Sequence, residues 1–100
     1  MKAVAEIQVI PIGVGVSLRK QVAIAHRVIE ESGLTVELHG QGTNVEGELE
    51  TILATVAAIH ERLHAEGTPR LATAVKIGTR LDKEHSLKAK VRAVRDQLGE

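Results

Sequence analysis

Residues 34–48 read LTVELHGQGTNVEGE, and the spacing of their side chains decides the fold. Leu34, Val36 and Leu38 alternate with Thr35, Glu37 and His39, the period-two pattern of a strand with one buried face. Gly40 and Gly42 punctuate a turn. Residues 43–48 then continue as a shorter strand, with Val45 on one face and Asn44 and Glu46 on the other. Strands joined by so short a turn pair antiparallel, so a hairpin occupies the middle of the chain.

The flanking segments alternate in type. Upstream, Leu18, Val22, Ala25 and Ile29 recur at i, i+4, i+7 and i+11, one apolar stripe of a helix. Ser17 is the expected N-cap and Gly33 the expected C-terminal stop. Before it, AVAEIQVIPI (residues 3–12) reads as a strand ended by Pro11 and Gly13. Ala3, Ala5, Ile7 and Val9 share one face; Val4, Glu6, Gln8 and Ile10 share the other. Downstream of the hairpin, a helix is expected from about Glu48 to Glu66, with a stripe of Leu49, Ile52, Leu53, Val56, His60 and Leu63. Gly67 stops it and Pro69 prevents resumption. RLATAVKIGTRL (residues 70–81) is a fourth strand, and Ser86 is expected to cap a third helix bearing Leu87, Val91, Val94 and Leu98 on one side.

The order β-α-β-β-α-β-α predicts an α+β, ferredoxin-like βαββαβ sandwich with an extra C-terminal helix. Residues 1–100 are read as one such domain. Right-handed crossovers place the first and third strands in the centre of the sheet. The first two helices cover one face and leave the other open, with Val4, Glu6, Gln8, Ile10, Thr35, Glu37, His39, Asn44, Glu46, Ala72, Ala74, Lys76 and Arg80 on it. An open face of this kind reads as a solvated or subunit-packing surface, or as a small-molecule site with apolar walls and a few convergent polar groups. Its carboxylates, Glu6, Glu37 and Glu46, suit a cationic ligand.

Composition narrows the function. The chain has 43% hydrophobic residues and no Phe, Trp or Tyr, so the core is built from Val, Ile, Leu and Ala. Thirteen basic residues balance thirteen acidic ones, which argues against nucleic acid, where a basic face supplies most of the affinity. The lack of aromatics argues the same way, since single strands are held by stacking. With no cysteine, disulfides, thiolate nucleophiles and Cys-ligated metals are excluded. No apolar stretch is long enough to span a membrane, and the first residues read as a strand rather than a signal segment. A cytoplasmic protein is expected.

Few motifs carry chemistry. HERLH (residues 60–64) places His60 and His64 on one helical face beside Glu61, the pattern of a zinc hydrolase. The following GTPRLATAV supplies no third ligand, and His60 continues the apolar stripe, so the expectation is an edge-of-core His60 and a surface His64 with no metal site. GVG at 13–15 is a turn, not a dinucleotide fingerprint, since Leu18 stands where its third glycine belongs. There is no P-loop and no nucleophile elbow, and no catalytic residue is assigned. Lys88, Lys90, Arg92 and Arg95 read as the solvated face of the last helix. GTNVEG (residues 42–47) is denser in function, because it sets an amide beside a carboxylate on a short strand. Its glycines are equally explained as hairpin and helix-junction residues.

The opening AEIQVIPIG, the helix end ESGL, GTNVEGELE, RLATAVKIGTR and the closing DKEHSLKAKVRAV together resemble the small thiamine-binding protein family, the YkoF-like thiamine- and hydroxymethylpyrimidine-binding proteins. The resemblance covers nearly the whole chain. It implies ferredoxin-like domains that pair through their sheets as homodimers or homotetramers, and non-catalytic binding of thiamine or its hydroxymethylpyrimidine precursor, with no other cofactor. The positions it carries over are Thr43, Asn44 and Glu46, followed by Glu6, Gln8 and Ser17. Without aromatic residues, aliphatic packing has to take the place of ring stacking. The alternative reading is a regulatory or assembly module of the same fold that binds another small effector, such as an amino acid, or none.

Overall fold

The computed structural model describes all 100 residues. Strands β1 (Lys2–Ile12), β2 (Thr35–His39), β3 (Gly42–Glu48) and β4 (Arg70–Gly78) alternate with helices α1 (Arg19–Glu31), α2 (Leu49–Ala65) and α3 (Leu87–Gln97). The sheet order is β2-β3-β1-β4, every pair antiparallel. This is the ferredoxin-like arrangement with its additional C-terminal helix.

The core lies between one face of the sheet and α1 and α2. It consists of Ala3, Ala5 and Ile7 of β1, Val45 of β3, Ala25 and Ile29 of α1, and Ile52, Ile59 and Leu63 of α2. Alanines on β1 let the helices approach, and branched residues fill the space between.

Several local expectations need correction. In α2 the buried residues are Ile52, Thr55, Ile59 and Leu63, whereas Leu53 is 52% exposed. Ile52 and Leu63 are buried as expected, Leu49 and Val56 pack against the core, and His60 is half-buried at its edge, so the correction is Leu53, with Thr55 and Ile59 buried in addition. Thr55 tolerates burial because its hydroxyl donates to the Thr51 carbonyl at 2.7 Å. Helix α1 begins after Leu18, which occupies the N-cap position with no side-chain cap, so Ser17 does not cap it. Pro11 lies inside β1 rather than ending it. Beyond Ile7 the strand pairs with β4 alone, so a residue without an N–H is tolerated on the unpaired side. Strand β4 ends at Gly78, three residues short of the expected end at residue 81.

The Ser86 cap of α3 is present, its Oγ accepting the Ala89 N–H at 3.0 Å. Helix α3 buries none of its residues, and Val91, Val94 and Leu98 are 54%, 60% and 66% exposed. The radius of gyration is 15.0 Å, against about 13 Å for a compact chain of this length. No helix is long and apolar enough to cross a membrane.

Candidate ligand site on the open sheet face

Strand register brings four polar side chains into one row across the open face. Glu37 of β2 stands opposite Asn44 of β3, Asn44 opposite Glu6 of β1, and Glu6 opposite Lys76 of β4. The adjacent row is Thr35, Glu46, Val4 and Gly78.

His39 links the first row. Its Nδ1 accepts the Gln41 backbone N–H at 3.3 Å, which leaves the ring hydrogen on Nε2. That hydrogen points at Asn44 Oδ1, 3.1 Å from Nε2, with Glu6 Oε2 at 3.4 Å. The Asn44 amide is thereby oriented: Oδ1 accepts from His39, and Nδ2 donates to Glu37 Oε1 at 3.3 Å. The Glu6 side chain remains half exposed. A fixed amide N–H beside carboxylates can donate to a ring nitrogen while the carboxylates accept from an amine or face a cation.

The second row anchors α3. Glu46 Oε1 accepts the Leu87 backbone N–H at 2.7 Å, and its other oxygen lies 3.6 Å from Lys2 Nζ. Gly78 provides the seat for His85: a Cβ built there would stand 3.4 Å from His85 Cε1. His85 is only 5% exposed, and its Nδ1 has no hydrogen-bond partner. Burial lowers its pKa from the ordinary histidine value, and Lys90 and Arg80 lower it further. The Arg80 guanidinium donates to Asp82 at 2.7 Å through Nε and holds that carboxyl at about 2.

Between these two rows, the β4 end and the first turn of α3 lies a cavity of about 600 Å³ lined by Glu6, Asn44, Lys76, Arg80, His85 and Lys90, among others. Drug-sized ligand sites fall in the same size range.

Of the residues implied by resemblance, Asn44 and Glu6 therefore meet, and Glu46 adjoins them as the α3 anchor. Gln8 is exposed farther along the same strand face, opposite Ala74. Thr43 is 5% exposed and pairs with Ile7 on the helix-covered side, so it does not share a surface with Asn44. Ser17 is exposed in the loop before α1. Lys88, Lys90, Arg92 and Arg95 are all exposed, as expected, and Lys90 also lines the cavity. His60 bonds the Thr73 hydroxyl through Nε2 at 2.9 Å, and His64 Nδ1 lies 2.8 Å from the Thr68 carbonyl. No group of three or more His, Cys, Asp or Glu side chains is placed to hold a metal ion. The residues that sequence reading missed are His39 and His85. Alternation put His39 on the right face, but only the register shows that it reaches both Asn44 and Glu6.

The sequence pattern described as thiamine-binding protein matches residues 5–95. The chain belongs to the thiamine-binding protein family. A UPF0045 protein of Synechocystis is 39% identical over 98 residues, covering 98% of this chain and 81% of that relative. Hypothetical protein MJ1052 of Methanocaldococcus jannaschii shares the structure at a TM-score of 0.88 and 35% identity, over 95% of this chain and 97% of that one. A candidate thiamine biosynthesis/salvage protein of Thermotoga maritima matches at a TM-score of 0.83 and 24% identity, over 95% of this chain and 100% of its own. The last is a likeness of fold. The family's name agrees with a face that offers an oriented amide and carboxylates.

Proposed function

We propose that this protein binds thiamine or its hydroxymethylpyrimidine precursor, without converting it, on the open face of the sheet. The observation that carries the reading is the His39–Asn44–Glu37 network beside Glu6. An aminopyrimidine presents an amino donor next to a ring-nitrogen acceptor. Glu37 or Glu6 accepts the amine, and Asn44 Nδ2 donates to the ring. A carboxylate offsets the thiazolium charge. Glu46 acts behind this set by holding α3 at the cavity edge, and Gln8 stands farther along the same strand face, outside the cavity.

The 100 residues act as one domain that assembles as a homodimer or homotetramer. Three features support self-association: the uncovered stripe of Val91, Val94 and Leu98 on α3, the partly exposed Ile10 and Ile77 of the sheet, and a net charge of zero. A second copy over the open face supplies aliphatic walls around a ligand that this chain cannot stack on aromatic rings. A cytoplasmic location fits the cysteine-free composition.

The test is a thermal melt followed by circular dichroism, with and without thiamine. At 100 times the dissociation constant a ligand adds about 2.7 kcal/mol, a rise of roughly 10 °C or more for a domain of this size. Asn44→Ala and Glu6→Gln abolish the rise if these groups hold the ligand. A full rise in both variants moves the site elsewhere. No rise with thiamine or the pyrimidine in the native protein leaves another effector, or assembly alone, as the function.

A further inference from the structure

The cavity has two chemically distinct ends. Glu6 and Asn44 stand at the β1–β3 end, tied to His39. Lys76, Arg80 and Lys90 stand toward β4 and α3. Lys76 and Lys90 form no ion pair within 4.0 Å, although Lys76 faces Glu6 across the strands. The only other carboxylate lining the cavity, Asp82, is held by Arg80 through Nε and one terminal nitrogen, so the second terminal nitrogen of Arg80 remains available. Beside these groups sits His85, 5% exposed, with a buried Nδ1 that has no partner.

Two ammonium groups without an ion-pair partner and a half-used guanidinium line one cavity, and each gains a charged hydrogen-bond partner from an anion bound there. A dianion serves all three. A phosphomonoester carries about −1.5 to −2 charge at neutral pH and three acceptor oxygens. We propose that the Lys76–Arg80–Lys90 end is a phosphoryl subsite, and that the ligand is the phosphate ester of the thiamine or hydroxymethylpyrimidine alcohol rather than the free alcohol. This rests on the pyrimidine-binding reading of the Asn44 end. The two ends together match a ligand with an amine or cation at one end and a dianion at the other. An unesterified ligand engages the Asn44 end and leaves the lysines uncompensated.

The test compares thiamine, thiamine monophosphate and inorganic phosphate by isothermal titration of the intact protein at low salt, alongside Lys76→Ala and Lys90→Ala. Both lysines are exposed, so the variants should fold, and their melts verify it. The expected result is that the phosphate ester binds the native protein at least about tenfold more tightly than thiamine, and that each substitution shrinks this ratio. Competitive, salt-sensitive binding of inorganic phosphate supports the subsite too. A ratio near one in the native protein, or a ratio that neither substitution changes, overturns the phosphoryl subsite while the thiamine reading stands. Binding of inorganic phosphate without either thiamine compound retains the anion site and removes the thiamine reading. Binding of none of the three removes both.

Discussion

Glu46 Oε1 accepts the backbone N–H of Leu87 at 2.7 Å, a bond that joins β3 to the start of α3 across 41 sequence positions. With no buried residue of its own, α3 depends on this bond and on the seated His85 for its position. A hydrogen bond to a charged group contributes about 1.5–3 kcal/mol. Glu46→Ala is therefore expected to speed amide exchange in α3 by roughly tenfold or more, while exchange in β1 stays slow. Glu46→Gln keeps an acceptor and shows a smaller change. Unaltered protection of α3 in Glu46→Ala would mean that something else fixes the helix.

The burial pattern of α2 has a direct energetic consequence. Ile59 is 0% exposed and Leu53 is 52% exposed. Truncating a fully buried Ile removes transfer energy and leaves a cavity. Ile59→Ala is expected to lower stability by about 3 kcal/mol and Leu53→Ala by less than about 1 kcal/mol, read from urea unfolding followed by circular dichroism. If Leu53 contacts a second copy of the chain, its substitution acts on the oligomer–monomer equilibrium, which sedimentation at several concentrations separates from folding.

These two cases mark how far the sequence is legible. Strand faces alternate with period two, so the residues of the open face, from Val4 to Lys76, follow from the sequence once the element order is known. The phase of α2 does not. Leu49, Ile52, Leu53, Val56 and Ile59 together with its alanines spread apolar character around the helix, and only its packing against the sheet and α1 puts Ile59 in the core and His60 at its edge. Thr55 looks like a surface residue until its hydroxyl is seen to return to its own backbone. For the site, the composition of GTNVEG pointed to Asn44, but its partner His39 requires the pairing register. His85 requires the path of the loop after β4 over Gly78, for which no periodicity exists.

The two glycines of GTNVEG should respond differently to alanine. A Cβ at Gly42 would stand 2.8 Å from the Ile7 carbonyl oxygen, a backbone atom of the central strand. A Cβ at Gly47 would meet Leu34 Cδ2 at 2.5 Å, the end of a side chain that can rotate. Overpacking against backbone costs toward the upper end of about 1–3 kcal/mol, and against a movable side chain toward the lower end. Gly42→Ala is expected to be the more destabilising and to disturb the Asn44–His39 bond. Equal losses in urea unfolding would show that the hairpin shifts freely against β1.

Stability should also depend on His85 through pH. Burial first, then Lys90 and Arg80, lower its folded-state pKa; Glu46 opposes them and Lys2 adds to the effect. Unfolded, the ring titrates near about 6.5. As pH falls below that value the unfolded chain takes up a proton that the folded protein resists, so native stability decreases. The loss begins as pH drops through the unfolded value and levels off below the folded one. The native protein should therefore lose more thermal stability from about pH 8 to about pH 5 than His85→Asn does. Both retain the other histidines, so the difference isolates this ring. The His85 Cε1–H resonance should stay in its neutral position at pH values where an exposed histidine is already charged. A resonance that titrates at the ordinary value, or identical pH slopes in the two proteins, would show that the ring is solvated and that α3 is not seated on Gly78 in solution.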